Sequence, residues 1–507
     1  MKLAELLAGL PIARSTPEPG ASEAAADPTL PGGGNPAITG VTHDSRQVAP
    51  GDLFVGWRGE RHDGADHARA AVAAGAAAVL VTTGSRRPEE IEVPWLTADD
   101  PHALLAPLAA RAYGHPEREL LLAGVTGTNG KSTVTTLLTR LLDTAGRTCG
   151  LFGSLGYFLG EHRYLKGRTT PEGSDFFRLL RRMRRDGADA VAMEVSSHAL
   201  SLGRIEGVEF EVAAFTNLSR DHFDFYEGFE DYFQAKRRLF HMLEDGARAS
   251  INAEDPYGVR LIEELGDRAV TWGERQGDVR PAEVELDERG IRGTFSTPRG
   301  ELAFESPLLG HFNLLNLLAA VAAAEALDLD HGAVAEGIAR QKPLLGRMEP
   351  VDRGQPFPVY VDYSHTDQAL EAALRSLREL SDKRIVVVFG CGGDKDPGKR
   401  PLMGRVAGEL ADVPIVTSDN PRTEDPLKII AAVEEGIGLS GNAAYRVIPD
   451  RREAIAAAVG MADEGTMVLV AGKGDEPIQV IGRTELPFYD FDEVVKALEA
   501  RFDAAAD

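Results

Sequence analysis

Residues 120–133 read LLLAGVTGTNGKST. The apolar run Leu120–Leu121–Leu122–Ala123 has the length of a short buried strand. Gly124, Gly127 and Gly130 follow, then Lys131, Ser132, Thr133 and a helix-like stretch over 134–142. Strand, glycine-rich turn and helix N-terminus in that order predict a phosphate-binding loop. Glycines let several backbone N–H groups point at one anion, and the helix dipole adds positive potential there. Lys131 supplies a full charge for the outer phosphates, and the Ser132 hydroxyl suits magnesium. The spacing departs from strict GxxxxGK[ST], since Val125 stands where that pattern has its first glycine. A chance glycine turn is the plain alternative; the agreement of strand, turn, Lys-Ser-Thr and helix favours a nucleoside triphosphate.

The bulk composition bounds the rest. The chain has 507 residues, which on length alone suggests about three domains. Its net charge of −24 argues against nucleic acid, whose phosphates need a basic footprint. Two distant cysteines, Cys149 and Cys391, make no disulfide framework and fit a reducing cytoplasm. The N-terminus carries no long apolar core, so no signal peptide is expected, and no run approaches the ~18 apolar residues of a membrane span.

Working outward, residues 1–13 suggest a short amphipathic helix. The Pro-, Gly- and Ala-rich stretch 16–37 reads as a flexible insertion. Strands at 52–55 and 78–81 flanking a helix over 65–74 make a small α/β domain, 1–113. Its Asp44-Ser45-Arg46 turn reads, on physics alone, as a solvated loop. The central domain is expected over 114–344. There the buried strand 188–195 carries Glu194 near its carboxyl end, where open parallel sheets bind ligands. Glu194 is then either a magnesium carboxylate or a solvated strand-end acid. The strand 211–215 leads to Asp221, His222 and Asp224, with Lys236 on a following helix. Residues 280–307 alternate as β-hairpins. Asn313 and Asn316 share a helix face, placed to read an adenine edge or to cap the helix.

Residues 345–507 alternate strands (359–362, 385–389, 414–417, 467–471) with helices (368–380, 400–410, 427–436, 452–462). That pattern predicts a parallel, Rossmann-like sheet. Four polar loops end its strands: VDYSHTDQ, GCGGDKDPGKRP, SDNPRTEDP and AGKGDEP. Binding residues concentrate on such loops.

With these motifs in order, the chain resembles the Mur ligases. GVTGTNGKST, AMEVSSHAL, TNLSRDHFDF, AKRRLF, GHFNLLNLLAA, GRMEPV and the four C-terminal loops carry the likeness from Ile38 onward. The resemblance implies an α/β protein of three domains: a small N-terminal domain for the UDP part of a UDP-MurNAc-dipeptide, a central P-loop ATPase-like domain, and a C-terminal Rossmann-like domain for an incoming amino acid. It implies an ATP-dependent ligase working through an acyl phosphate in peptidoglycan precursor synthesis. Gly127, Thr128, Asn129, Gly130, Lys131, Ser132 and Thr133 would hold ATP, with Asn313, Asn316, Arg347 and Asp362. Ser45, Thr169, Thr170, Ser196 and Arg204 would contact the nucleotide-peptide substrate. Two Mg2+ sites are implied, one on Ser132 and Glu194 and one on His222 with Lys236, which the family carbamylates. An ammonium cannot ligate a cation, whereas a carbamate oxygen can. Catalysis would rest on Lys131, Glu194, His222 and Lys236.

Lys395, Asp419, Asn420, Pro421, Arg422, Gly472 and Glu476 would bind the amino acid. The Asp419–Arg422 run resembles the form that selects meso-diaminopimelate, whose distal carboxylate a guanidinium can grip with two hydrogen bonds. The family usually has Arg at Lys395 and His at Asp475. The alternatives are the same ligase using L-lysine, a folylpolyglutamate synthetase-like ligase, and a triphosphate switch or binding module without ligase activity. Small-molecule substrates, no nucleic acid, no membrane insertion and a monomer in the cytoplasm are expected.

Overall fold

The computed structural model describes residues 1–14, 34–59, 62–165, 167–287 and 289–503. Most of the 16–37 stretch, read as a flexible insertion, lies outside the described residues. The chain divides into two compact units. The first comprises Met1–Thr126, Gly146–Ala213 and Ala235–Ala247; the second comprises Gly127–Ala145, Ala214–Gln234 and Arg248–Asp507. Among the described residues no helix is long and apolar enough to cross a membrane.

In the first unit, Gly40–Thr42, Asp52–Gly56, Ala78–Thr82 and Trp95–Ala98 form a parallel sheet, with Ala13–Arg14 antiparallel at its edge. Phe54, Val79, Val81 and Trp95 pack against Ala68 and Ala71 of the following helix. That helix is shorter than the expected 65–74. The Asp63 carboxylate accepts from the Ala65 N–H and starts a 3-10 turn, Gly64–His67, so the α-helix begins only at Ala68 and ends at Ala73. The N-terminal helix likewise contracts to Leu3–Leu6, because Gly9 adopts φ 71° and Pro11 cannot continue a helix.

The same unit holds Leu121–Thr126, the strand that enters the glycine turn. Ala190–Glu194 pairs beside it in parallel, with Glu194 opposite Val125, and Cys149–Gly153 pairs on the far side of Ala190–Glu194. Two antiparallel strands, Gly156–Leu159 and His162–Leu165, extend this edge. The three parallel strands are buried on both faces, which is why they read as unbroken apolar runs.

The second unit opens with the helix Lys131–Thr144. It packs on His331–Ala339 so closely that a Cβ at Gly337 would lie 2.7 Å from Leu141. A three-stranded antiparallel sheet follows (Arg280–Asp287, Gly290–Thr297, Gly300–Ser306). The six-stranded sheet runs Glu349–Pro350, Val359–Asp362, Thr466–Ala471, Arg384–Phe389, Val413–Val416, Arg446–Val447, parallel except at the first pair. Alternation along Arg384–Phe389 divides two cores. Ile385, Val387 and Phe389 meet helices Asp367–Leu380, Lys399–Leu410 and Pro426–Ser440 on one face. Val386 and Val388 meet Arg451–Met461 and Asp490–Asp503 on the other. Thr366, Asp425 and Asp450 cap three of these helices with side-chain oxygens.

Between the last two helices lies an ion pair with both side chains 0% exposed. Arg451 donates to Asp490 through Nε at 2.8 Å and Nη2 at 2.6 Å, and also to the Ala471 carbonyl at 2.9 Å. Removing one partner leaves the other charge buried and uncompensated. Asp490→Asn is therefore expected to destabilise the protein by about 3–5 kcal/mol. Urea unfolding of the variant against wild type measures the loss, and a change under about 1 kcal/mol would contradict a dry, mutually dependent pair.

Candidate functional site

The glycine turn takes the conformation its sequence requires. Gly127 and Gly130 have φ 148° and 84°. A Cβ at Gly127 would overlap the Thr216 hydroxyl, and one at Gly130 would overlap Asn316 Oδ1. The turn is braced from behind by residues 216–219. Thr128 N donates to the Asn217 carbonyl at 2.9 Å, Asn129 N donates to Asn217 Oδ1 at 3.0 Å, and Thr216 Oγ1 donates to the Asn129 carbonyl at 2.6 Å. Ser219 N donates to Thr128 Oγ1 at 2.9 Å. Lys131 folds back onto the turn, its Nζ donating to the carbonyls of Gly127 at 3.0 Å and Thr128 at 2.8 Å. Ser132 and Thr133 open the helix behind it.

Asn316 of the His311–Ala326 helix closes on this turn, and Asn313 holds Asn316. Asn316 Nδ2 donates to Asn313 Oδ1 at 3.0 Å, and Asn313 Nδ2 donates to the Leu309 carbonyl at 2.8 Å. Arg347 reaches Ser132 Oγ at 3.4 Å and lies over the Tyr363 ring at 4.2 Å. Asp362 ends its strand buried, accepting from Met348 N at 2.7 Å and Ser364 N at 2.9 Å. Burial pushes its carboxyl up from the ordinary range. Glycine turn, asparagine pair, Arg347 and Asp362 thus belong to one connected set within the second unit.

The four polar loops meet at the carboxyl edge of the six-stranded sheet, because their strands are neighbours there. His222, at φ 58°, lies 3.4 Å from Asp221 through Nε2. Burial alone would raise the Asp221 carboxyl, but His222, His365 and Lys399 hold it down at about 2. Burial and the Lys399 charge push the His365 imidazole down to about 4. Lys399 donates to the His365 carbonyl at 2.9 Å. Arg220 grips Asp396 through Nε at 2.8 Å and Nη2 at 3.2 Å.

Asn420 ties two of the expected amino-acid loops together. Its Nδ2 donates to Glu476 Oε2 at 2.8 Å, and its Oδ1 accepts from Lys473 Nζ at 3.2 Å and Val480 N at 2.9 Å. Asp419 caps Asn420 N at 2.6 Å and lies against Gly472. Glu476 also accepts from the Tyr363 hydroxyl at 3.3 Å and from Lys473 at 3.3 Å. Pro421 leads into Arg422, which sits at φ 50° and donates through Nη1 to the Gly393 carbonyl at 2.7 Å. Among the described residues no carboxylate pairs with the Arg422 guanidinium. Lys395 Nζ lies 3.6 Å from Asp224.

The remaining expected residues belong to the first unit. Thr170 Oγ1 donates to the Glu194 carbonyl at 2.8 Å and lies 3.3 Å from Ser196 Oγ, and Arg204 Nη1 donates to the Thr170 carbonyl at 3.3 Å. Thr169 precedes them in the same loop. Ser45 begins a 3-10 turn, Ser45–Gln47, and no hydrogen bond among the described residues joins it to the Thr170 cluster. Glu194 is 3% exposed; its Oε1 accepts from Ser154 N at 2.9 Å and Ser154 Oγ at 3.2 Å. A buried strand-end carboxylate with one oxygen pinned suits a hard cation that takes oxygen ligands. Lys236 is 1% exposed.

Sequence reasoning passed over several residues. Thr216, Asn217 and Ser219 brace the turn, and their signal was their place directly before Arg220–Asp221–His222. Glu172 organises the 168–174 loop: it accepts from Arg168 at 2.5 Å, pairs with Arg204 at 2.9 Å and lies 3.1 Å from His102 Nε2. The Trp57 ring stacks on His102 at 4.3 Å and on His43 at 5.7 Å. Nothing in local pattern pairs residues so far apart in sequence.

Models of the Mur ligase family match residues 37–113 (catalytic domain), 125–324 (middle domain) and 346–474 (glutamate ligase domain). A protein of Streptomyces coelicolor named UDP-N-acetylmuramoyl-L-alanyl-D-glutamate–2,6-diaminopimelate ligase is 45% identical over 90% of this chain and 92% of its own length. One of the same name from Geobacillus kaustophilus is 42% identical over 90% and 94%. A solved structure of an enzyme of that name is 34% identical and covers 92% of this chain and 95% of its own, with a TM-score of 0.63.

The Glu172 cluster sets an acid limit. Burial raises the Glu172 carboxyl, but His102, Arg204 and Arg168 outweigh it and pull it to about 2, from an unperturbed 4.5. A carboxyl depressed in the folded state stabilises above its unfolded value and loses that contribution as pH falls toward the folded one. Glu172 is thus expected to contribute about 3 kcal/mol at neutral pH, lost between roughly pH 4.5 and 2. Glu172→Gln should flatten that part of the stability–pH curve. Parallel curves for variant and wild type across the window would contradict it.

Proposed function

This chain belongs to the Mur ligase family, and on that footing we infer that it joins meso-2,6-diaminopimelate to UDP-N-acetylmuramoyl-L-alanyl-D-glutamate at the expense of ATP. The observation that carries the choice of amino acid is the pairing state of two groups. Arg422 offers a guanidinium without a carboxylate partner among the described residues, while nearby Asn420 and Lys473 hold the Glu476 carboxylate. A cation for a distal carboxylate and an anion for an ammonium suit a diamino diacid. L-Lysine would leave Arg422 unsatisfied, and sites built to hydrogen-bond one group reject analogues that lack it.

The chemistry proceeds in two steps. The γ-carboxylate of the D-glutamyl residue attacks the γ-phosphorus of ATP; the bond to the β-phosphate oxygen breaks, giving an acyl phosphate and ADP. The unprotonated amine of diaminopimelate then attacks the acyl carbon, and inorganic phosphate leaves. The turn from Gly127 to Thr133 orients the triphosphate with its backbone N–H groups. Lys131 leaves the carbonyls of Gly127 and Thr128 to meet the outer phosphates, reducing repulsion between the reacting anions. Asn313, Asn316, Arg347 and Asp362 flank the nucleotide. Ser45, Thr169, Thr170, Ser196 and Arg204 hold the nucleotide-peptide substrate. Ser132, Glu194, His222 and a carbamylated Lys236 are each of a type that could hold Mg2+, which when bound would offset phosphate charge. Asp419, Pro421 and Gly472 shape the amino-acid pocket. The setting is the cytoplasm.

Two measurements test the reading. Protein incubated with ATP, Mg2+ and UDP-MurNAc-L-Ala-D-Glu is given diaminopimelate or lysine separately, and the product is weighed. A tripeptide adduct is expected with diaminopimelate; equal turnover of lysine overturns the assignment of Arg422, and no adduct with either overturns the function. Lys131→Met should lower kcat by roughly a thousandfold, as loss of a charge aimed at the transition state does. Turnover within tenfold of wild type would remove Lys131 from the mechanism.

A further inference from the structure

Arg400 has no part in the reading above, yet it is 6% exposed at the start of the helix Lys399–Leu410. Its Nη2 donates to Glu424 Oε1 at 2.7 Å and reaches the Gly392 carbonyl at 3.5 Å, while its buried Nε has no partner. The next carbonyl of the same turn, Gly393, holds Arg422 Nη1 at 2.7 Å. Two guanidiniums thus face consecutive carbonyls: Arg422 holds that of Gly393, and Arg400, anchored on Glu424, stands at the limit of hydrogen-bond reach from that of Gly392. We propose that Arg400 is a positioning residue for amino-acid selection, fixing the Gly392–Gly393 turn from which the Arg422 guanidinium is hung.

The turn has little slack to absorb a displacement. Gly393 N donates to the Asn420 carbonyl at 2.9 Å, and a Cβ at Gly393 would overlap the Pro421 carbonyl. A Cβ at Gly392 would stand 2.9 Å from Arg422 Nη1. Glu424 Oε1, held by Arg400, also accepts from Asp394 N at 2.6 Å. Asp394 in turn accepts from Thr423 Oγ1 at 2.7 Å and Thr423 N at 3.2 Å. The loops at 391–396 and 420–424 are therefore laced at both ends, with Arg422 between them at φ 50°. Both contacts come from the one nitrogen Nη2, and the rigid, planar guanidinium fixes where that nitrogen sits, as an ammonium on a flexible stem does not. Movement of the turn carries the Gly393 carbonyl with it, and so redirects Arg422 away from a carboxylate it must meet in a bidentate geometry.

This inference rests on the reading of Arg422 as the carboxylate grip, and the experiment separates the two. Steady-state kinetics are measured for Arg400→Lys and for Glu424→Gln, which removes the charge of the more exposed partner. Both are repeated on an Arg422→Ala background. Arg400→Lys is expected to raise KM for diaminopimelate roughly tenfold, and Glu424→Gln by about threefold, with KM for ATP within about twofold of wild type. On the Arg422→Ala background neither should add more than about twofold, since residues acting through one group are not additive. An unchanged KM for diaminopimelate, an equal rise for ATP, or full additivity overturns the proposal. Should Arg400→Lys fail to fold, as judged by circular dichroism, Glu424→Gln decides by the same criteria. Wild-type protein that adds no diaminopimelate overturns the functional reading and this inference with it; wild-type selectivity with insensitive variants overturns this inference alone.

Discussion

An anion-binding turn must point its N–H groups inward, and an unsupported backbone does not stay in that shape. Here the support comes from behind. Thr216, Asn217 and Ser219 take up the outward-facing polar groups of residues 128–129, and Asn316 closes on Gly130. Positive φ at Gly127 and Gly130 is the local requirement; the side chains at 216–219 and 316 are the distant one. The tight fit of Lys131–Thr144 against Gly337 then fixes the helix whose dipole faces the turn. Loss of any one of these contacts leaves the glycines free to adopt other conformations, because glycine has the least intrinsic preference.

The second organising feature is how charge is distributed along the sheet edge. Asp221 is compensated by His222, His365 and Lys399, and Asp396 by Arg220. Glu476 is compensated by Lys473 and Asn420. Buried charges need such partners, since desolvation otherwise forces them neutral. Against that background the Arg422 guanidinium is conspicuous, with a carbonyl but no carboxylate among the described residues. On the proposed reading a ligand's own carboxylate completes its pairing.

Much of this architecture was legible in the sequence, and for physical reasons. Parallel strands buried on both faces must be apolar throughout, so the runs 385–389 and 467–471 declare themselves, and the helices between them follow from their period. Adjacency of the four loops followed from their strands sharing one sheet. Pattern fails where a short side chain competes with the backbone. Asp63 turned the first residues of an expected helix into a 3-10 turn, and Gly9 cut the N-terminal helix to four residues. Pattern also carries no information on which polar residues pair across long separations. Glu172 meeting His102 and Arg204, or Asn217 meeting Asn129, depends on the chain's path and leaves no local trace.

The two departures from the family's usual residues bear on where selectivity can reside. A guanidinium at position 395 could share a carboxylate with Arg422 through two parallel hydrogen bonds. Lys395 is a point charge and lies 3.6 Å from Asp224, so part of its attraction is spent within the protein. Asp475 adds negative charge beside Glu476, which favours an ammonium but does nothing to distinguish diaminopimelate from lysine, since both carry one. Discrimination between the two then falls on the group that meets the extra carboxylate. On the proposed reading that group is Arg422, and a single guanidinium can discriminate only as well as its orientation is held. The constraint on the Gly392–Gly393 turn is therefore a constraint on specificity, not merely on the fold of the loop.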